Sequence, residues 1–324
     1  MKNKILILGK LPQPVGGVTI HVSRLLKTLK NRGFNAFHFV DLREAFSGKI
    51  FLEIVRHRVI HLHVSTPYFQ FFVAALCRVL RKRLIVTYHG NWGRFGIRKN
   101  MAVKLSSCLA FIPIVLNKES LNKAQKWNRN ATIIPAFIPP VEVGLLSKKI
   151  TGALTDLRSR YQYLLCTNAS NLTFDKNDEE IYGISGLIDN ISHTSCCALI
   201  ISDPSGANKK YIEKKRKKMP DNILFIIEEH AFCNILSYSD AFIRNTTTDG
   251  DSVSIHEAIM YGVPVFASDC VSRPSQCRLF KDVKEMDFER EIKNQKLNNY
   301  SESASEHYID TVNEIIMIYQ KCLC

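Results

Sequence analysis

The sequence predicts an α/β chain of two doubly wound, parallel-sheet domains facing a cleft. Short, nearly continuous apolar runs alternate with amphipathic stretches in both halves, the pattern of parallel strands covered by helices on both faces. A proline-containing break at residues 137–149 separates two such alternations. At 324 residues the chain is long for one domain and comfortable for two, and 46% apolar content is ample for two cores.

Taken in order, the expected strands of the first half are residues 5–8, 36–40, 59–64, 84–88, 112–116 and 132–134. Helices are expected between them at about 18–31, 68–80, 99–109 and 118–127. Beyond the linker, strands are expected at 163–166, 198–201, 223–227, 241–243 and 263–267, with helices near 178–189, 209–218, 232–238 and 253–261. The C-terminal stretch, about 303–321, has helical periodicity. No repeat and no low-complexity segment interrupts the pattern. The domain boundaries follow as 1–145 and 146–302, with a C-terminal helix in 303–324.

Composition narrows the function classes. No apolar run approaches a membrane span, and the opening MKNKILILGKLPQP is too short and too early broken by proline for a signal peptide. Ten cysteines lie scattered without a C-x-x-C pair, which points to reduced, mostly buried thiols in a cytosolic protein. The net charge of +14 is unevenly spread: residues 1–150 hold 25 Lys and Arg against 5 Asp and Glu, and the remainder 19 against 25. A basic first half directs attention to an anionic partner such as a leaflet surface, a lipid pyrophosphate or nucleic acid. The basic clusters at 78–83 and 94–99 are the expected contact patches, whereas 209–218 reads as a solvated helix face. No nucleic-acid-binding module is present, so that class ranks below a cleft enzyme.

Residues 240–269 carry the chemistry. Ala241-Phe242-Ile243 reads as a buried strand, followed by a polar loop, a helix opening near Asp251, and a second buried strand. Asp251, Ser252 and Ser254 are capping candidates, and Gly262 followed by Pro264 is a stop signal. Asp249 and Glu257, with seven residues between them, bracket the helix N-terminus, whose free N–H groups and partial positive charge suit a phosphate. Carboxylates flanking a phosphate site can accept hydrogen bonds from sugar hydroxyls, so the segment suggests the grip on a sugar nucleotide. The bland reading is an ordinary capped helix with acidic residues favouring its dipole.

The run D-G-D-S-V-S-I-H-E-A-I-M-Y-G-V-P-V-F-A-S-D, residues 249–269, resembles the signature of the family-4 retaining glycosyltransferases of GT-B fold. The match includes Gly250, Glu257, Ala258, Gly262, Pro264, Val265, Ala267 and Asp269 without a gap. It departs at Asp249, where the family has Glu, one methylene longer. The resemblance implies two Rossmann-like domains, the first binding the acceptor and the second the donor, with the last helix crossing back to the first domain. It further implies Glu257 on the donor ribose and Asp249 on the transferred sugar. Gly250, Asp251 and the N–H groups of Ser252, Val253 and Ser254 would face the diphosphate.

Three further motifs fit that resemblance. Gly16-Gly17, opening the first helix, is not a dinucleotide fingerprint, since G-x-G-x-x-G is absent; it looks like the Gly-Gly loop that faces donor phosphates and acceptor. His89, in V-T-Y-H-G, resembles the family histidine beside the reacting sugar and would orient the donor. His61 and His63 in V-I-H-L-H-V could, with His89, imitate a three-histidine zinc site, but packing is the preferred reading and no metal is expected. Asp249-Gly250-Asp251 also spells the D-x-D with which many GT-A enzymes hold a divalent cation, a reading its position in a second doubly wound domain disfavours.

One family feature is missing. An Arg followed six positions later by a Lys usually clamps the diphosphate after the first strand of the second domain; here Ser170 stands six before Lys176. Lys176 would keep its role, and Arg244 would supply the other cation, although a polar residue does not simply replace a bidentate Arg.

The expected activity is a metal-independent, retaining transfer of a sugar from a UDP or GDP sugar to a lipid-linked saccharide acceptor in surface polysaccharide (lipopolysaccharide or O-antigen) biosynthesis. No cofactor and no nucleic acid would be needed. The expected location is cytoplasmic, peripheral on the inner membrane through the basic first domain. A non-catalytic nucleotide-sugar binder or a sugar-nucleotide epimerase of the same fold stays open as the alternative, and a nucleic-acid binder ranks last.

Overall fold

A computed structural model describes residues 4–13, 15–43, 47–175, 177–297 and 310–323. The chain divides into two compact units, residues 1–141 with 309–324, and residues 142–308.

In unit 1, strands β1 (Ile5–Gly9), β2 (Phe37–Asp41), β3 (Val59–His63), β4 (Arg83–Tyr88), β5 (Ile112–Val115) and β6 (Thr132–Ile133) form one sheet in the order β2-β1-β3-β4-β5-β6. Every pairing in it is parallel. Side chains alternate between its faces. Leu6, Leu8, Ile60 and Leu62 join one core with residues of α2 (Ser47–Arg56), α3 (Pro67–Val79), α4 (Ile97–Leu109) and α5 (Lys118–Gln125). Ile5, Ile7, Val59 and Ile85 join the other with α1 (Gly17–Asn31) and the C-terminal helix, Thr311–Leu323.

Unit 2 repeats the plan. Strands β7 (Tyr163–Asn168), β8 (Cys197–Ser202), β9 (Ile223–Ile226), β10 (Ala241–Arg244), β11 (Val265–Ser268) and β12 (Cys277–Phe280) order as β12-β11-β10-β7-β8-β9, again all parallel. One face packs on α6 (Lys148–Arg160), α9 (Phe232–Leu236) and α10 (Val253–Met260). The opposite face packs on α7 (Ile184–Ile191), α8 (Ala207–Lys215) and α11 (Phe288–Leu297); the C-terminal helix of unit 1 is thus α12. The α/β, doubly wound class that the sequence predicts is present in each unit.

Strand order fixes where a ligand can enter. In unit 1 the chain leaves β1 towards β2 and returns to β3 on the other side; in unit 2 it leaves β7 towards β8 and β9 and returns to β10. The helices change face at these switch points, which opens a crevice at the carboxyl ends of the flanking strands.

Some elements differ from expectation. The helix expected at 178–189 starts later, as α7, because Gly183 takes a left-handed φ of 51° at its N-cap and Glu180 turns back to accept from Ser185 N at 2.9 Å. Helices α2, α6 and α11 and the strand β12 fall where no element was expected. β12 is an edge strand with Arg278 and Leu279 exposed, so it lacks the continuous apolar run that marks a buried one. The expected C-terminal helix is observed from Thr311, and residues 303–309 lie outside the described ones.

Candidate functional site

Polar side chains collect at the switch point of unit 2. Asn168 ends β7, Arg244 ends β10 and Ser268 ends β11. Arg244 is buried; its Nε donates to Asp249 Oδ2 at 2.9 Å and its Nη2 to Oδ1 at 3.1 Å. Its Nη1 donates to Asn168 Oδ1 at 3.1 Å, bridging the two strands that flank the crevice, and its guanidinium lies 5.0 Å from the centre of the Tyr182 ring. Arg273, in the loop between β11 and β12, completes the cluster. Its Nη1 donates to Asp249 Oδ2 at 2.8 Å, its Nη2 to Thr246 Oγ1 at 2.9 Å, and its Nε to Ser268 O at 3.3 Å.

Asp249 therefore accepts from two guanidiniums and from the amide of Gly250 at 3.0 Å. Burial pushes its carboxyl up, but the Arg244 and Arg273 charges outweigh that and hold it down at about 2. Arg244 feels the converse: burial lowers its pKa, and Asp249 raises it by more. The carboxylate and the cation expected to touch the donor are thus engaged with each other. Two guanidiniums and one carboxylate leave the cluster with one net positive charge.

The loop leads into α10. Asn168 Nδ2 donates to Ser254 Oγ at 2.5 Å, tying the end of β7 to the first turn. Ser252 is the N-cap in extended conformation, and its side chain makes no cap bond. That hydroxyl is buried and has no hydrogen-bond partner among the described residues. The amides of Val253 and Ser254 head the helix, where no intrahelical acceptor exists. Asp251 Oδ1 lies 2.5 Å from His256 Nε2. One turn on, Glu257 is only 3% exposed, although it is a carboxylate. It follows Val253 by four and Ser254 by three, so it shares their side of the helix. The helix stops as its sequence signals: Gly262 adopts φ 67°, Gly262 N donates to Ile259 O at 3.0 Å and Val263 N to Ala258 O at 2.8 Å, the paired bonds of a Schellman ending. Lys176 lies outside the described residues.

Unit 1 places Gly16, Gly17 and His89 at its own switch point. Gly16 is the extended N-cap of α1, bonded through its amide to Thr19 Oγ1 at 3.0 Å, and a Cβ added at Gly17 would meet no atom within 4 Å. Beside them stands a histidine cluster. His21 of α1 holds Ala136 O at 2.7 Å through Nδ1, which must carry the proton because a carbonyl only accepts. His63 Nδ1 and His89 Nε2 are 3.1 Å apart. The nitrogens of His21, His63 and His89 that could hold a metal lie within 4.8 Å of one another. His61 is not in that set: its Nδ1 meets Tyr319 OH of α12 at 2.6 Å and its Nε2 meets Thr87 Oγ1 at 2.8 Å. Burial drives His61 down to about 3, and His63 and His89 well below the ordinary histidine range. His89 also borders a pocket with Asn91, Trp92 and Arg94 that has room for about one water.

Sequence reasoning missed Arg273, Asn168 and His21. Arg273 precedes a strand that the hydrophobic pattern does not reveal, and its ion pair spans a loop, a helix and a strand. Asn168 and His21 were legible only as neighbours of elements already placed, the last residue of β7 and the second turn of α1.

The two all-parallel six-stranded sheets, each flanked by helices, match solved glycosyltransferase structures of GT-B fold. No protein-family model and no curated protein matches the chain. Among solved structures the chain is similar to Anabaena Alr3699/HepE in complex with UDP and glucose, with a TM-score of 0.71, 16% identity, and 98% of this chain and 99% of that one covered. It is similar also to WaaG, a glycosyltransferase involved in lipopolysaccharide biosynthesis, with a TM-score of 0.62, 12% identity, and coverage of 96% and 98%. A third similar structure is a candidate UDP-N-acetylglucosamine 2-epimerase from Listeria monocytogenes, with a TM-score of 0.64, 16% identity, and coverage of 99% and 96%.

Proposed function

We propose that the chain is a retaining glycosyltransferase of family-4 type, moving a sugar from a nucleotide-diphosphate sugar to a lipid-linked saccharide acceptor in surface polysaccharide assembly. The observation that carries the reading is the start of α10. An unbonded, buried Ser252 hydroxyl and open first-turn amides stand at the switch point of unit 2, with a buried carboxylate one turn behind them. The N–H groups of Ser252, Val253 and Ser254, with the Ser252 hydroxyl, receive the diphosphate, and Glu257 accepts from the ribose. UDP is the favoured nucleotide, since UDP occupies the similar HepE structure.

Asp249 takes a different part from the one its sequence position suggests. Saturated by Arg244 and Arg273, it is a positioning residue that holds two cations behind the helix terminus. Their net positive charge, with Lys176, stands in for the missing Arg–Lys clamp. The diphosphate leaves, the acceptor attacks from the same face, and the leaving phosphate takes the acceptor's proton; stabilising that leaving group is the main electrostatic task. Neither a metal nor a protein nucleophile has a step in this scheme. In unit 1, His89 orients the transferred sugar as a neutral imidazole, Gly16 and Gly17 let backbone approach substrate, and the basic surface meets an anionic cytoplasmic leaflet.

Titration of the protein with UDP, GDP and their sugars, followed by assay of nucleotide release with a saccharide acceptor, tests the proposal. Glu257→Ala should abolish transfer while circular dichroism stays unchanged; full activity in that variant would remove the central assignment. A second reading, a nucleotide-sugar epimerase or non-catalytic binder, draws on the absent Arg at position 170 and the fold shared with the Listeria protein. Binding without acceptor-dependent nucleotide release, or a change of sugar configuration seen by proton NMR, would favour it.

A further inference from the structure

The outer side of α3 and α4 in unit 1 is apolar where water should select polar residues. Tyr68, Phe72 and Val79 on α3 are 52%, 62% and 78% exposed, and Ile97, Met101 and Leu105 on α4 are 86%, 42% and 38% exposed. The spacings 68–72 and 97–101–105 repeat by four, so each set is a stripe along its helix. The two helices pack side by side on one face of the sheet, their inner residues Val73, Ala74, Cys77 and Val103 in the same core. The two stripes therefore belong to one helical layer, and contiguous apolar exposure of this kind marks an interaction surface.

Charge identifies the partner. Between Glu53 and Glu119 the sequence has eleven Lys and Arg and no acidic residue, and Arg78, Arg81, Arg98 and Lys99 are exposed among or beside the stripes. A second copy of this chain would bring like charges together across a two-fold contact. Nucleic acid would use the cations but gives exposed Val79, Ile97, Met101 and Leu105 nothing to stack on. An anionic bilayer uses both: aliphatic and aromatic side chains enter the boundary of headgroup and acyl chain while Arg and Lys meet lipid phosphates. No helix among the described residues is long and apolar enough to cross a membrane, so the contact is one of lying on the surface. We propose that the α3–α4 layer of unit 1 docks on an anionic lipid surface, with Phe72 and Ile97 as its deepest anchors.

This deepens the leaflet contact of the proposed function and rests on that reading only for the choice of leaflet; donor binding is measured apart from it. Flotation of the full chain with vesicles of phosphatidylcholine, with and without one-third phosphatidylglycerol, tests it. Wild type should float with the anionic vesicles only, and added salt should release it. F72S/I97S and, separately, R78E/R98E should each lower the bound fraction by about tenfold, with UDP thermal shift and circular dichroism as in wild type. Equal flotation of wild type and both variants, or equal binding to neutral vesicles, would overturn the inference. So would retention on single-stranded DNA with no flotation, or a wild-type dimer that the variants lose. Normal flotation with no response to any nucleotide would leave the docking face standing and remove the donor reading instead.

Discussion

Asp249 sits between two guanidiniums, and this decides what its removal would do. Taking away one partner of a buried charged pair costs about 3–5 kcal/mol because the other charge stays buried without compensation. Here the orphans would be two, Arg244 and Arg273, whose bonds to Asp249 measure 2.8 to 3.1 Å. Asp249→Asn should therefore lower the unfolding free energy in urea by about that amount and weaken donor binding with it. A carboxylate that served only the transferred sugar would behave otherwise: the same variant would unfold like wild type and lose turnover alone. The sequence made the place of Asp249 legible, since a loop acid before a capped helix in a doubly wound domain has few places to go. Its partner was not legible. Nothing local marks Arg273, 24 residues further on, because their meeting depends on β11 and β12 lying side by side. Glu257 contrasts with it: burial of a carboxylate on an amphipathic helix follows from its place between Ile255 and Ala258, both in the core.

At the scale of elements, legibility followed burial. Strands covered on both faces, such as β1, β7 and β8, announce themselves as apolar runs. Helices with chemical punctuation were equally plain, and α10 ends where Gly262 demands it. Elements that cover only part of a surface were hidden: α11 has a polar majority, and β12 is half exposed. The docking of α12 on α1 shows the same limit from another side. Its apolar residues Val312, Ile315 and Tyr319 are buried in the core under α1, yet the polar bond that registers it, Tyr319 OH to His61 Nδ1, joins residues 258 apart. Burial raises the Tyr319 phenol well above its ordinary range, so it stays protonated and can donate to that nitrogen. Tyr319→Phe leaves the ring and strands the imidazole nitrogen, at a cost of about 1–3 kcal/mol. Urea unfolding should show that loss; an unchanged midpoint would mean that water replaces the hydroxyl.

At the scale of the whole molecule, three histidines of unit 1 make stability depend on pH. A histidine ordinarily titrates near 6.5, but desolvation, with the neighbouring imidazoles second, holds His61 at about 3 and His63 and His89 well below that ordinary value. None of these three is hydrogen-bonded to a carboxylate among the described residues, so no acidic partner there rewards protonation. Above about pH 6.5 the imidazoles are neutral in both folded and unfolded chains and pH does not matter. As pH falls below that value, the unfolded chain takes up protons that the folded chain refuses, and the balance moves towards unfolding. The slope is about 1.4 kcal/mol per pH unit for each histidine held neutral, and for His61 it continues until its own value near 3. Asp249 acts in a lower window: its stabilisation is complete above the ordinary carboxyl value and is lost only as pH falls towards about 2. Melting temperature should therefore be level from pH 8 to 7 and drop steadily from pH 6 to 5, with a shallower fall in His63→Gln than in wild type. A flat profile down to pH 5 would show that the cluster charges freely in the folded protein, and with it would go the neutral imidazole assigned to His89.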